Sequence, residues 1–169
     1  LQGCHSKTRY NIKVAQKKGI EIVEGNREDL KTFEAIMRVT GERDGFLTRP
    51  LSYFEDMYDT LAPNEMCKLY LAKLNTKQAL ANIEEELAQT EQSISNLQAQ
   101  LQNKELNEKK RQKLQNKLEP EANKLNNLTQ QKEELQKLYE EHPAGITMSG
   151  IIATYFGNKS WYLYGASDN

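Results

Sequence analysis

Apolar side chains recur at alternating three- and four-residue steps in two long stretches of the chain. This spacing keeps them on one face of a helix, which is the pattern of a coiled coil. The polar segment between the stretches, residues 103–108, contains two asparagines, so we expect the chain to reverse there and the two helices to pair antiparallel. The repeat consists of Leu80, Ile83, Leu87, Thr90, Ile94, Leu97 and Leu101, followed by Leu114, Leu118, Leu125, Leu128 and Leu135.

Shorter helix and strand patterns occupy the rest of the chain. Runs rich in β-branched and aromatic residues predict four strands, at residues 20–24, 66–74, 146–155 and 159–164. Apolar residues at helical spacing predict three further helices, at residues 7–18, 26–41 and 50–61. The long helical hairpin, residues 76–141, therefore lies between the second and third strands.

Several single residues predict how these elements begin, end or bend. Ser6 is expected to cap the first helix, and Asn26 with Asp29 to form a capping box at the second. Gly150 inside a strand predicts a bulge or a close approach of two backbones. Pro120 is expected to kink the second long helix, because it removes a backbone donor.

The order of elements predicts an α/β (α+β) fold with three segments. A strand, two helices and three antiparallel strands resemble the opening half of an acetyltransferase-like (GNAT) domain. We therefore expect a partial GNAT domain with an inserted antiparallel coiled-coil hairpin. The predicted segments are residues 1–75, the hairpin at 76–142, and 143–169.

Composition excludes some classes of protein and leaves others open. The 169 residues carry a formal net charge of -1, which indicates no general affinity for nucleic acid or anionic membranes. Cys4 and Cys67 have no spacing with histidine that suggests zinc, so free thiols are expected. No apolar run is long enough to span a bilayer, and no signal peptide is visible. We expect a soluble, intracellular protein.

Three separated motifs resemble the FemABX family of nonribosomal peptidyltransferases of bacterial cell-wall synthesis. They are Lys7-Thr8-Arg9-Tyr10-Asn11-Ile12-Lys13, then Phe46-Leu47-Thr48-Arg49-Pro50 with Tyr53-Phe54, and Tyr162-Leu163-Tyr164-Gly165-Ala166-Ser167. The resemblance implies a transferase that moves an amino acid from aminoacyl-tRNA to the stem peptide of a peptidoglycan precursor. It implies no metal and no cofactor. Because members of this family have two GNAT-like halves, we expect the chain to be a fragment that is inactive alone.

The resemblance also assigns residues to substrate binding. Arg49 and Tyr53 match a family pair that contacts the phosphate or sugar part of the precursor, and their i,i+4 spacing puts both on one helix face. Tyr164 matches a tyrosine that lines the precursor cleft. The alternatives are a surface arginine covering a tyrosine ring and an ordinary sheet tyrosine. No residue is identified as a general base.

The hairpin tip carries a group of basic residues that fits contact with an RNA backbone. In many members of the family such an arm is similar to the tRNA-contacting arm of seryl-tRNA synthetase, although basic tips also serve solubility. The other interpretation is a non-catalytic scaffold that forms a homodimer through the hairpin. The acceptor is either UDP-MurNAc-pentapeptide or a lipid-linked muropeptide, which would bring a cytoplasmic protein to the inner face of the membrane. The basic tip residues are Lys104, Lys109, Lys110, Arg111 and Lys113.

Overall fold

The predicted strands form one antiparallel sheet, in chain order, in the computed structural model, which describes residues 1–103 and 107–168. Each strand pairs with the next one along the chain, and the two long helices are inserted between the second and third strands. The mixture of helices with an antiparallel sheet is therefore confirmed. The strands are β1 (Ile20–Gly25), β2 (Cys67–Leu74), β3 (Ile146–Phe156) and β4 (Lys159–Ser167).

Two helices, α2 (Leu30–Asp44) and α3 (Leu51–Leu61), supply the rest of the core of this sheet unit. Alternate strand residues face this core, as a period of two requires. At about 1.5–3 kcal/mol for each large apolar side chain removed from water, this cluster is the main source of the unit's stability. The buried cluster consists of Leu30, Phe33, Ile36, Met37, Phe54, Cys67, Leu69, Leu71, Ile152 and Ala166.

Gly150 lies where β3 passes closest to this core. A Cβ atom built there would lie 2.8 Å from Cδ2 of Leu71 and 2.9 Å from Cδ2 of Phe33. Real Cβ atoms are not found at such distances, so a larger residue would have to displace these two side chains. The close neighbours of Gly150 are therefore side chains, and not a second backbone as predicted.

The capping box before α2 is also present. The side chain of Asn26 accepts from the backbone N–H of Glu28, at 2.8 Å, and of Asp29, at 3.3 Å. In return, the Asp29 carboxylate accepts from the Asn26 N–H at 3.0 Å. The regular helix begins after this turn, at Leu30 rather than at Asn26.

A second unit, the helical unit, contains residues 1–19 and 76–144. Its long helices α4 (Thr76–Leu101) and α5 (Glu108–Glu141) run antiparallel. A hydrogen bond and an ion pair join the two arms of the hairpin. Thr76 Oγ1 donates to the His142 carbonyl at 2.8 Å, and the Lys132 ammonium pairs with the Glu84 carboxylate at 2.9 Å. The helix α5 is continuous through Pro120, so the kink stays a prediction.

Every residue of the predicted repeat is buried or half-buried, and the buried Ala79 lies beside them. Ala79 is buried, whereas Leu80, one residue and about 100° further round the helix, is only half-buried. Ile83 and Thr90 are buried as predicted. Leu128 of α5 is also buried within this single chain. Replacing Leu128 with a charged residue would therefore disrupt the hairpin itself and would not be a selective test of a homodimer.

The first helix, α1 (Ser6–Lys17), belongs to the helical unit and not with the strands. The predicted boundary at residue 75 therefore differs from the structure for residues 1–19. Lys17 provides the reason: its ammonium pairs with Glu86 of α4 at 2.7 Å, and its carbonyl accepts from Asn82 at 2.9 Å. The cap residue is His5, whose side chain accepts from the Lys7 N–H, rather than the predicted Ser6.

Glu86 joins all three helices, because its carboxylate also pairs with Lys124 of α5 at 3.1 Å. The hydrogen bond from Lys17, with that from Lys124, holds the pKa of Glu86 below its usual range, although partial burial opposes this. A lowered pKa stabilises the folded state above the unfolded glutamate pKa of about 4.3, and this contribution is lost as pH falls through the lower folded-state pKa.

We expect Glu86→Gln to lower the free energy of unfolding of the helical unit by about 1 kcal/mol at pH 7 and by much less at pH 3. Urea unfolding followed by far-ultraviolet circular dichroism would measure it. The matched control is Glu91→Gln, at an exposed position of the same helix. An equal loss at both pH values would show that Glu86 acts through packing and not through its charge.

None of the helices in the described part of the chain is long and apolar enough to cross a bilayer.

Candidate functional site

Arg49 is positioned by the turn that links α2 to α3. The helix α2 ends at Gly45, which adopts the left-handed conformation (φ 76°) that glycine tolerates best. Pro50 is extended (ψ 160°) and precedes the first turn of α3. Arg49 lies two residues before Leu51, the first residue of α3, and Tyr53 lies inside the first turn. The prediction that an i,i+4 step places both on one helix face is therefore wrong, because Arg49 is not part of the helix.

The structure brings Arg49, Tyr53 and Tyr164 together. The guanidinium carbon of Arg49 lies 5.3 Å from the centre of the Tyr53 ring, within the range of a cation–π contact. The Tyr164 hydroxyl, on β4, donates to the Tyr53 hydroxyl at 3.0 Å. Tyr53, in the first turn of α3, thus meets a strand residue 111 positions away in the sequence. We call these three residues the Arg-Tyr-Tyr cluster.

Arg49 does cover the Tyr53 ring, as in the alternative interpretation of a surface arginine over a tyrosine. This geometry is compatible with binding of an anion, because a guanidinium that stacks through its face donates hydrogen bonds through its edge. Two phenol hydroxyls beside it add neutral donors and acceptors. The cluster can therefore present a cation and two hydroxyl groups to a phosphate or a sugar.

Phe54 supports the cluster from the core. Its ring is fully buried and meets the Tyr164 ring edge to face, with centroids 5.3 Å apart. It meets the rings of Tyr53, at 5.7 Å, and Phe33, at 5.4 Å, in the same way. Edge-to-face pairs are favourable beyond the area they bury, and a packed core restricts rotamers. The two tyrosines are therefore held in fixed positions.

Tyr164 is a neutral phenol at physiological pH. The hydrogen bond with Tyr53 and partial burial raise the pKa of Tyr164, and the nearby Arg49 opposes that rise. The hydroxyl is therefore a hydrogen-bond donor and acceptor and not a general base.

The end of β4 is fastened to α2 by residues that the sequence analysis did not identify. The Thr40 hydroxyl accepts from the Ser167 N–H at 3.0 Å, and Arg43 donates to the Ser167 carbonyl at 3.2 Å. A sequence signal for Thr40 existed: it lies four residues after Ile36, on the buried stripe of the helix. A polar residue at such a position needs a partner, and Ser167 provides it.

The predicted basic tip lies in the helical unit. Lys109, Lys110 and Lys113 are exposed at the start of α5, whereas Arg111 is half-buried and donates to the Leu101 carbonyl at 3.4 Å. Lys104 lies outside the described residues. Arg111 therefore has a structural role in closing the hairpin, and three lysines remain exposed.

Groups of three or more histidine, cysteine, aspartate or glutamate side chains that could hold a metal ion are absent from residues 1–103 and 107–168. Cys67 is buried in the core of the sheet unit, and burial raises the pKa of its thiol.

Comparison with known proteins identifies relatives over the full length of the chain. A model of the FemAB family matches residues 1–169. Lipid II:glycine glycyltransferase of Staphylococcus aureus is 40% identical over 169 residues, which are 100% of this chain and 39% of that protein. The proteins of strains COL and MRSA252 give the same values. The crystal structure of FemX is similar over 98% of this chain and 40% of that one, with 39% identity and a TM-score of 0.77. The chain thus spans about two fifths of the length of these relatives.

Proposed function

The chain belongs to the FemAB family, and we propose on that basis that the protein containing it transfers an amino acid from aminoacyl-tRNA to the stem peptide of a peptidoglycan precursor. The product is an interpeptide bridge or its first residue. Relatives of this chain are named lipid II:glycine glycyltransferases, which supports a transferase of peptidoglycan synthesis. The same name supports a lipid-linked precursor as the acceptor, in preference to the soluble nucleotide-linked form.

The observation that carries this proposal is the Arg-Tyr-Tyr cluster. Its three members were assigned to the precursor from separate motifs, and they lie in mutual contact on a rigid support. A guanidinium suits the phosphate of a precursor because charge-assisted hydrogen bonds to phosphate oxygens are short and strong. The tyrosine hydroxyls suit the adjacent sugar.

The proposed reaction depends mainly on how the two substrates are positioned. The precursor amine attacks the ester carbonyl of aminoacyl-tRNA, an amide bond forms, and the ribose hydroxyl of the tRNA leaves with a proton. The ester is already activated, so the protein's principal contribution is to hold the amine and the ester in a reactive geometry. In this scheme the cluster holds the phosphate end of the acceptor, and no residue of the described chain is assigned as the base.

The finer features of the fold belong to the same proposal. The sheet order and the two helices on its core face support a GNAT-like domain, and the antiparallel pairing of α4 with α5 supports a coiled-coil arm. A lipid-linked acceptor would bring the protein to the inner face of the membrane. The arm would then contact the tRNA donor.

The test is aminoacyl transfer by the complete protein, with charged tRNA and with lipid-linked or nucleotide-linked muramyl-pentapeptide as acceptor. Formation of an amide on the stem peptide supports the proposal. Absence of transfer with both acceptors and with every charged tRNA would refute it.

The exposed lysines of the hairpin tip provide a separate prediction about the donor. We expect Lys109→Glu with Lys113→Glu to raise the KM for aminoacyl-tRNA about tenfold at low salt and to leave the KM for the precursor unchanged, because lost phosphate contacts weaken binding irrespective of sequence. The matched control carries the same charge change at Lys77 and Lys137, also exposed on the long helices. An equal effect of both double variants would indicate a general charge effect and remove the tip from the donor site.

A further inference from the structure

The loop before the Arg-Tyr-Tyr cluster presents two apolar side chains to solvent. Leu47 is 99% exposed and its neighbour Phe46 is 44% exposed. Single exposed apolar residues are common on protein surfaces and need no explanation. This pair is different because of how the backbone is held and because of what lies next to it.

The residues before and after Leu47, Phe46 and Thr48, both lie against Gly41 of α2. The N–H of Gly45 and the N–H of Phe46 both donate to the Gly41 carbonyl, at 2.8 and 3.0 Å. A Cβ atom at Gly41 would lie 2.8 Å from the Phe46 carbonyl oxygen, and closer still to the methyl group of Thr48. Only glycine permits this approach. Leu47 is therefore displayed by an anchored turn and not by a loose one.

Arg49 follows Leu47 by two residues, so their Cα atoms are within about 7 Å of each other. In a lipid-linked precursor the phosphate carries an isoprenoid chain, and in the soluble precursor it carries a uridine nucleotide. A phosphate held by Arg49 would bring one of these two groups beside Phe46 and Leu47. An exposed leucine and phenylalanine suit the hydrocarbon chain, because contact would remove apolar surface from water on both partners.

We propose that Phe46 and Leu47 contact the first isoprenoid units of the acceptor and so select the lipid-linked precursor over the nucleotide-linked one. This inference rests on the proposed function, because it assumes that Arg49 binds the precursor phosphate. It adds a specificity determinant that touches the part of the substrate furthest from the reacting amine.

The test compares Leu47→Asn, which is polar but adds no charge beside the phosphate, with the wild-type complete protein on both acceptors. A short-chain isoprenoid precursor in detergent-free solution is the lipid-linked probe, and UDP-MurNAc-pentapeptide is the other. We expect kcat/KM to fall about tenfold on the isoprenoid precursor and to stay unchanged on the nucleotide-linked one. Ile22→Asn, at a 69% exposed aliphatic residue of β1, is the matched control and should change neither value.

Other outcomes would overturn the inference in distinguishable ways. Equal losses on both acceptors, with a lower melting temperature by circular dichroism, would show that Leu47 packs against another part of the complete protein. A loss only with precursor embedded in vesicles, and none with the short-chain probe, would assign Leu47 to the bilayer surface instead. Absence of transfer by the wild-type protein with both acceptors would refute the proposed function, and this contact with it.

Discussion

Replacing Phe54 with alanine is expected to lower the free energy of unfolding of the sheet unit by about 3–5 kcal/mol. The ring is fully buried and contacts Phe33 and both tyrosines of the Arg-Tyr-Tyr cluster, so its removal leaves a cavity below the site. Trp161 is the single tryptophan of the chain and lies on β4, so urea unfolding followed by its fluorescence reports on this unit.

Phe54→Ala should also leave the rings of Tyr53 and Tyr164 without the packing that fixes their positions. Phe156→Ala is the control, because Phe156 is 69% exposed and its loss should change the free energy of unfolding by less than about 0.5 kcal/mol. If Phe54→Ala cost no more than this control, the aromatic packing below the site would not hold the tyrosines in place.

Replacing Arg49 with alanine is expected to weaken binding of the precursor by about 1–3 kcal/mol, the range for a lost charge-assisted hydrogen bond. This corresponds to an increase in Kd of about 5- to 150-fold. Arg49 is exposed and precedes α3, so the free energy of unfolding should change little. Titration of the complete protein with the precursor measures the first quantity, and urea unfolding measures the second.

Two further variants show which property of Arg49 is responsible for the loss of affinity. Arg49→Lys keeps the positive charge but loses the planar fork and the stacking on Tyr53, so it should recover only part of the affinity. Arg38→Ala removes an exposed arginine from α2 and should leave the affinity unchanged. Unchanged affinity in Arg49→Ala would remove Arg49 from the binding site and leave the ring contact as its role.

Local patterns were enough to predict the elements and their order. Runs of β-branched and aromatic residues identified the four strands, and a period near 3.6 identified the helices. Asparagines between two leucine repeats separated the two long helices, of which the first ends at Leu101 and the second begins at Glu108. The capping box of Asn26 and Asp29 was equally predictable from the sequence, because its hydrogen bonds join residues only three positions apart. Arg49 and Tyr53 are close neighbours in sequence, although Arg49 precedes α3 and the two do not share a helix turn.

Packing between distant segments decided the rest. Sequence spacing did not show that Ala79, which lies outside the leucine repeat, is more deeply buried than Leu80. It also did not reveal that Lys17 reaches Glu86 and draws the first 19 residues into the helical unit.

The sequence by itself therefore determined which residues form helices and strands, and which side chains share a helix turn, because these properties depend on neighbours along the chain. Only the tertiary structure decided that Tyr164 meets Tyr53, and that Phe54 packs against Tyr164 and Phe33. Such contacts join segments that are far apart in sequence, and they form where many weak interactions together favour one packing of the core.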